Sequence, residues 1–194
     1  MSRTLSALAI ALLLTVSAAA QDAWQLDPQH SSAQFSVRHL GVSTVRGAFT
    51  KVSGSVVYDP ANLGKSSIQA TIETASVDTR VEARDNDLRS PRFLDAQKYP
   101  TITFQSKKVE AAGAGKLKVT GDLTIHGVTK EVVLDVDGPS PAINDPMGKD
   151  RLRTGASATT KINRNDFGVS GLPGIVGDDI TITLDVEMTK PAGK

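Results

Sequence analysis

The 194-residue chain contains no cysteine. That absence excludes disulfide staples, thiolate metal ligands, a thiol nucleophile and a lipid-modified cysteine anchor. A chain of this length can instead hold itself together by its core. Aromatic side chains are also scarce, with one Trp, two Tyr and five Phe, so any interior must be filled mainly by aliphatic and small residues. The formal net charge is only +1, which leaves no basic footprint for nucleic acid. After the N-terminal segment no apolar run approaches the roughly 18 residues that a membrane-spanning helix needs.

That N-terminal segment has its own pattern. Arg3 precedes an apolar run from Leu5 through Val16, followed by the small residues Ala18, Ala19 and Ala20. The order is that of a secretory signal peptide. Residues 1–20 are therefore expected to be a signal peptide and residues 21–194 one exported, soluble domain. Setting Arg3 aside lowers the basic count from 22 to 21, equal to the 21 acidic residues.

Period-two alternation dominates the remainder, as expected for strands buried on one face. Ala33, Phe35 and Val37 alternate with Gln34, Ser36 and Arg38, and Ile180, Ile182, Leu184, Val186 and Met188 alternate with Thr181, Thr183, Asp185 and Glu187. The pattern predicts strands near residues 24–27, 32–39, 44–58, 67–77, 101–110, 116–126, 128–137, 150–162 and 178–189. The stretch KLKVTGDLTIHGVTKEVVLDV reads as a hairpin turning at His126 and Gly127, which pairs Leu117 with Val136, Val119 with Leu134 and Ile125 with Val128. Lys130 then falls on the apolar face near the turn, where its stem can reach water. Helix is expected only over VEARDNDLRS, 81–90, before Pro91, with an extra turn near Phe93 to Ala96. Its mixed charges suit a solvated face, or a lid over a barrel mouth. Residues 137–148, with three prolines, read as a loop.

Eight or nine antiparallel strands suggest a barrel or a sandwich. The strand RLRTGASATTKI places Leu152, Thr154, Ala156, Ala158, Thr160 and Ile162 on one face, which fills little volume. A barrel of about eight strands either packs solid or holds one small ligand. Small inward residues allow a cavity, or sheets that pack closer together.

Catalytic motifs are missing. GVSTV and GVSGL lack the second glycine of a nucleophile elbow, GAGKLK at 113–118 lies between two strand patterns and reads as a turn, and DND at 85–87 lacks the rest of a calcium loop. His30 and His39 flank one strand with opposite parity, roughly 30 Å apart if it is regular. His126 sits at a turn. Structural roles for all three are favoured over metal or acid–base work.

Four blocks in order carry a family likeness: WQLDPQHSSAQFSVRHLGVSTVRGAF (24–49), RSPRFLDAQKYPTITFQS (89–106), GDLTIHGVTKEVVLDV (121–136) and TKINRNDFGVSG (160–171). With these, the chain resembles the YceI-like family of polyisoprenoid-binding periplasmic proteins. The resemblance implies an all-β, lipocalin-like antiparallel barrel of about eight strands with a short helical segment. It further implies a noncovalently held polyisoprenoid or isoprenoid quinone, a periplasmic location and no cofactor.

On the implied barrel, parity places Phe35, Val37, Ile72, Phe104, Leu123, Leu134, Ile182 and Leu184 on the inner wall as candidate ligand contacts, against the plain alternative of core packing. A polar head group would want donors at the mouth. His39, Arg46 and Arg164 are the candidates, although Arg164 could instead lock a loop through Asp166 or Asp95. An enzyme acting on a lipid or quinone in the same barrel, or a cavity-free interaction module, are the competing readings. A barrel of this kind could also form a homodimer through its outer face.

Overall fold

The computed structural model describes residues 23–147 and 150–193, and the signal-peptide expectation for residues 1–20 falls outside them. Strand segments in chain order are β1 (Trp24–Leu26), β2 (Ser32–His39), β3 (Ser43–Phe49), β4 (Val52–Val57), β5 (Ser67–Glu73), β6 (Val77–Asp78), β7 (Thr101–Ala111), β8 (Lys116–Ile125), β9 (Val128–Asp137), β10 (Ile143–Asn144), β11 (Arg151–Asn163) and β12 (Val176–Pro191). One helix, α1 (Glu82–Arg89), lies between β6 and β7.

These segments form a closed, eight-stranded antiparallel barrel. Several staves of the wall are interrupted strands. β1 and β2 follow one another along the same edge of β12, β3 and β4 along the next stave, and β5 and β6 along the third. The expected strands at 44–58 and 67–77 are thus each two segments, the second pair separated by a 3-10 turn at Thr74–Ser76. Such breaks let a strand bend around a small barrel. The expected loop at 137–148 likewise contains β10, which pairs with β11 beyond the end of β9. Closure comes from β12, whose one edge pairs with β11 from Asp179↔Asn163 to Pro191↔Arg151 while the other pairs with β1 and β2.

The β8–β9 hairpin has the register read from sequence, with Leu117 opposite Val136, Val119 opposite Leu134 and Ile125 opposite Val128. His126 (φ 53°) and Gly127 (φ 75°) form its two-residue turn, the left-handed pair that matches strand twist. Lys130 faces Leu123 in register and is exposed.

One end of the barrel is plugged. α1 and the turn that follows it bring Leu88, Phe93 and Leu94 onto Ile102, Leu123, Ile125 and Ile162, together with Phe167 and Val169. Asp85 in α1 is buried and accepts bonds from the Thr79 backbone N–H and hydroxyl, so its carboxylate anchors the helix to the wall. The helix covers an end of the barrel rather than presenting a solvated face alone.

Arg164 ties down the loop beside that plug. It is 4% exposed, and all five of its N–H donors have acceptors. Nε donates to the Gly177 carbonyl (3.0 Å), Nη1 to those of Val169 (2.7 Å) and Gly171 (2.8 Å), and Nη2 to that of Val176 (3.0 Å) and to Asp178 Oδ1 (3.2 Å). Its carboxylate partner is Asp178, not Asp166 or Asp95.

At the opposite end, outside the wall, Arg153 gathers three carboxylates. It donates to Asp27 (2.9 Å), Asp145 (2.8 Å) and Glu187, fastening the segment around β10 to β1 and β12. His30 adds a ring nitrogen 3.0 Å from Asp27. Bonding to His30 and Arg153 and the Gln29 backbone N–H lowers the Asp27 pKa from its ordinary 3.8 to about 2, despite desolvation.

Two predictions follow from these anchors. Arg164→Met strands the loop carbonyls in a buried site and should lower the stability measured by urea unfolding by about 3 kcal/mol or more; a loss under 1 kcal/mol would contradict the clamp. Because folding lowers the Asp27 pKa, its ionised form stabilises the fold above about pH 4, and that contribution is lost as pH falls through about 2. Asp27→Asn should therefore be less stable than wild type at neutral pH, with urea midpoints that converge on acidification across this window.

Candidate functional site

Between the plug and the open end lies a cavity of about 800 Å³, within the range of ligand pockets. Its wall follows from strand alternation. The inward positions of β7, β8, β9 and β12 bring Phe104, Val119, Leu134 and Leu184 to the lumen, while β11 contributes Thr154, Ala156, Ala158 and Thr160. The small β11 side chains leave space unfilled, so the sheets do not close on one another there.

Glycines on the wall keep the larger rings out of the way. A Cβ at Gly47 would sit 2.5 Å from Cζ of Phe35, and one at Gly121 would sit 2.5 Å from Cζ of Phe104. Each phenyl ring thus occupies the space that a side chain at the glycine would fill. Phe35 also packs on Phe49, with ring centroids 5.8 Å apart.

All eight apolar residues singled out by parity, Phe35, Val37, Ile72, Phe104, Leu123, Leu134, Ile182 and Leu184, line this cavity. The three polar candidates are placed differently. Arg46 is exposed on β3 and does not line the lumen. His39 has inward parity but sits at the last position of β2, opposite Val176, beyond the lined stretch. Arg164 borders the cavity at the plugged end instead of the mouth, and its donors are already spent on carbonyls and Asp178.

The open end holds residues that strand counting did not single out. Pro139, Ser140, Pro141 and Ala142 dip from the segment between β9 and β10 into the cavity rim. Ser140 and Thr154 are tied together there, the Thr154 hydroxyl donating to the Ser140 carbonyl at 2.6 Å. Tyr58, Ser66 and Trp24 complete the rim with Lys190, whose ammonium lies 4.9 Å from the centroid of the Trp24 ring. Lys190 lies one residue past the expected end of its strand, and the alternation Leu184, Val186, Met188 points to it.

Asp27, His30 and Glu187 place ligand-type atoms within 4.8 Å of one another. Arg153 already bonds both carboxylates, supplying the positive charge a metal would bring, so the cluster is read as an ion-pair network.

A UPF0312 protein of Vibrio cholerae is 40% identical over 172 residues, covering 87% of this chain and 89% of the relative. The crystal structure of a Campylobacter jejuni YCEI protein superposes with a TM-score of 0.69 at 37% identity, covering 79% of this chain and 89% of that one. A polyisoprenoid binding domain from Saccharophagus degradans shares the fold, with a TM-score of 0.63 at 17% identity over 87% of this chain and 98% of that one. The model of the YceI-like domain matches residues 24–188, and the chain belongs to that family.

Proposed function

We propose that the protein is a periplasmic carrier that holds a polyisoprenoid or isoprenoid-quinone-type lipid noncovalently in the barrel, with its eight apolar wall residues as tail contacts. The observation that carries this reading is a continuous apolar lumen of about 800 Å³, plugged at one end. The fold it shares with a polyisoprenoid binding domain supports it. Export rests on the Arg3-to-Ala20 pattern.

The energetics favour a long tail. Each buried methylene contributes roughly 0.8 kcal/mol, and association costs on the order of 4–15 kcal/mol. A tail of about twenty carbons supplies roughly 16 kcal/mol gross, enough for retention without a single hydrogen bond. The role assigned is binding, with release governed by how far the tail must slide out.

Native mass spectrometry followed by lipid extraction of the purified protein tests the proposal. Recovery of an isoprenoid-type lipid in about one copy per chain is expected, and recovery of none, with no uptake of added prenols, refutes it. Ala158→Phe, which fills the lumen from β11, should fold and lose long-chain ligands, and unchanged retention would remove this wall from the site. Phe104→Asp should abolish retention in a variant whose circular dichroism remains that of a β-barrel.

A further inference from the structure

The cavity wall carries two charged side chains among the described residues, Arg164 and Lys190. They are not equivalent. Arg164 is buried at the plugged end with every donor engaged, so it offers a ligand nothing. Lys190 is half-buried at the open end, and no carboxylate among the described residues pairs with it.

Its position is fixed by the wall. On β12 it continues the inward series Leu184, Val186 and Met188, and it faces Leu152 across the β11 pairing. The Trp24 ring beneath it, 4.9 Å from ammonium to centroid, holds the cation by its π face without neutralising it. The rim also carries Tyr58, Ser66, Ser140 and Thr154. The wall between holds only the uncharged Ser32, Gln34, Ser157 and Thr160 among its polar residues, and the floor includes Leu88, Phe93, Leu94 and Val169.

From this polarity we infer that Lys190 is the head-group site of the cavity and that the ligand is an acidic amphiphile, a carboxylate or phosphate ester of an apolar chain. The inference rests on the lipid-carrier reading and adds a direction and a charge to it. The tail enters first and reaches the floor, and the head stops at the rim. An uncompensated ammonium beside an apolar tube is partly desolvated, so an anion there gains more than it would on an open surface. A neutral head gains only contact with the rim hydroxyls, of which that of Thr154 already donates to the Ser140 carbonyl, that of Ser140 accepts from the Gly155 backbone N–H and that of Ser66 accepts from the Asp59 backbone N–H.

The test compares geranylgeranyl phosphate, geranylgeranoic acid and geranylgeraniol, which share one tail, on the purified, delipidated protein. Titration calorimetry measures affinity, and the emission of Trp24, the chain's single tryptophan, reports on the rim. At low salt one or both acidic ligands should bind about tenfold tighter than the alcohol, a preference that salt weakens, that Lys190→Met removes by bringing acid and alcohol to equal affinity, and that Lys190→Arg keeps. A preference confined to the phosphate assigns the site to phosphate esters, and one shared with the carboxylate assigns it to acidic lipids in general. Equal binding of acids and alcohol by wild type, or a preference that survives Lys190→Met, overturns the head-group assignment and leaves the carrier intact. Failure of all three ligands to bind wild type overturns both.

Discussion

Everything in this molecule depends on β12 pairing along both edges. The strand contacts β11 on one side and the β1–β2 stave on the other, and only this double pairing turns a curved sheet into a tube. Closure removes the exposed hydrogen-bonding edges that an open sheet would present, and in doing so it defines an inside. Strand alternation then acquires chemical meaning, because every second residue of every stave is committed to the lumen. In a chain without disulfides this pairing, reinforced by the bonds of Arg153 to Asp27 and Glu187, holds the first and last strands together.

The two ends of the tube are built by opposite means. At the closed end apolar side chains from α1 and its following turn pack against the wall, and a fully satisfied guanidinium gathers the carbonyls of a loop that would otherwise be frayed. At the open end the fastening lies outside the wall, where Arg153 collects carboxylates from three separate segments. Charge is thus spent on structure at both ends, and the lumen between them is left apolar. Lys190 stands apart because no carboxylate among the described residues pairs with it, its ammonium resting on the Trp24 ring.

Much of this was legible in sequence because a strand's side-chain period is fixed. The β8–β9 register, the inner-wall residues and the small face of β11 all follow from parity, and the family likeness supplied the closed barrel over the sandwich. What parity could not supply was where a strand breaks: the interruption at residues 50–51 and the turn at 74–76 do not disturb the apolar pattern enough to be seen. Nor could it say which inward residues meet the cavity. His39 has the right parity and lies past the lined stretch, since the plug sets that limit from elsewhere in the chain. The partner of Arg164 depended on a loop closing back from Asp178, and the inward dip of residues 139–142 on a segment whose prolines announced only a loop.

The glycines beneath Phe35 and Phe104 have a consequence for how the cavity behaves when empty. Because those rings fill the space beside Gly47 and Gly121, no side chain at either position has to be pushed aside for them to pack against the wall. The space is preorganised, and its cost was met when the barrel folded. Burial of an apolar chain in such a lumen carries a negative heat-capacity change. Selection among tails of different shape then becomes a question of fit to a rigid bore.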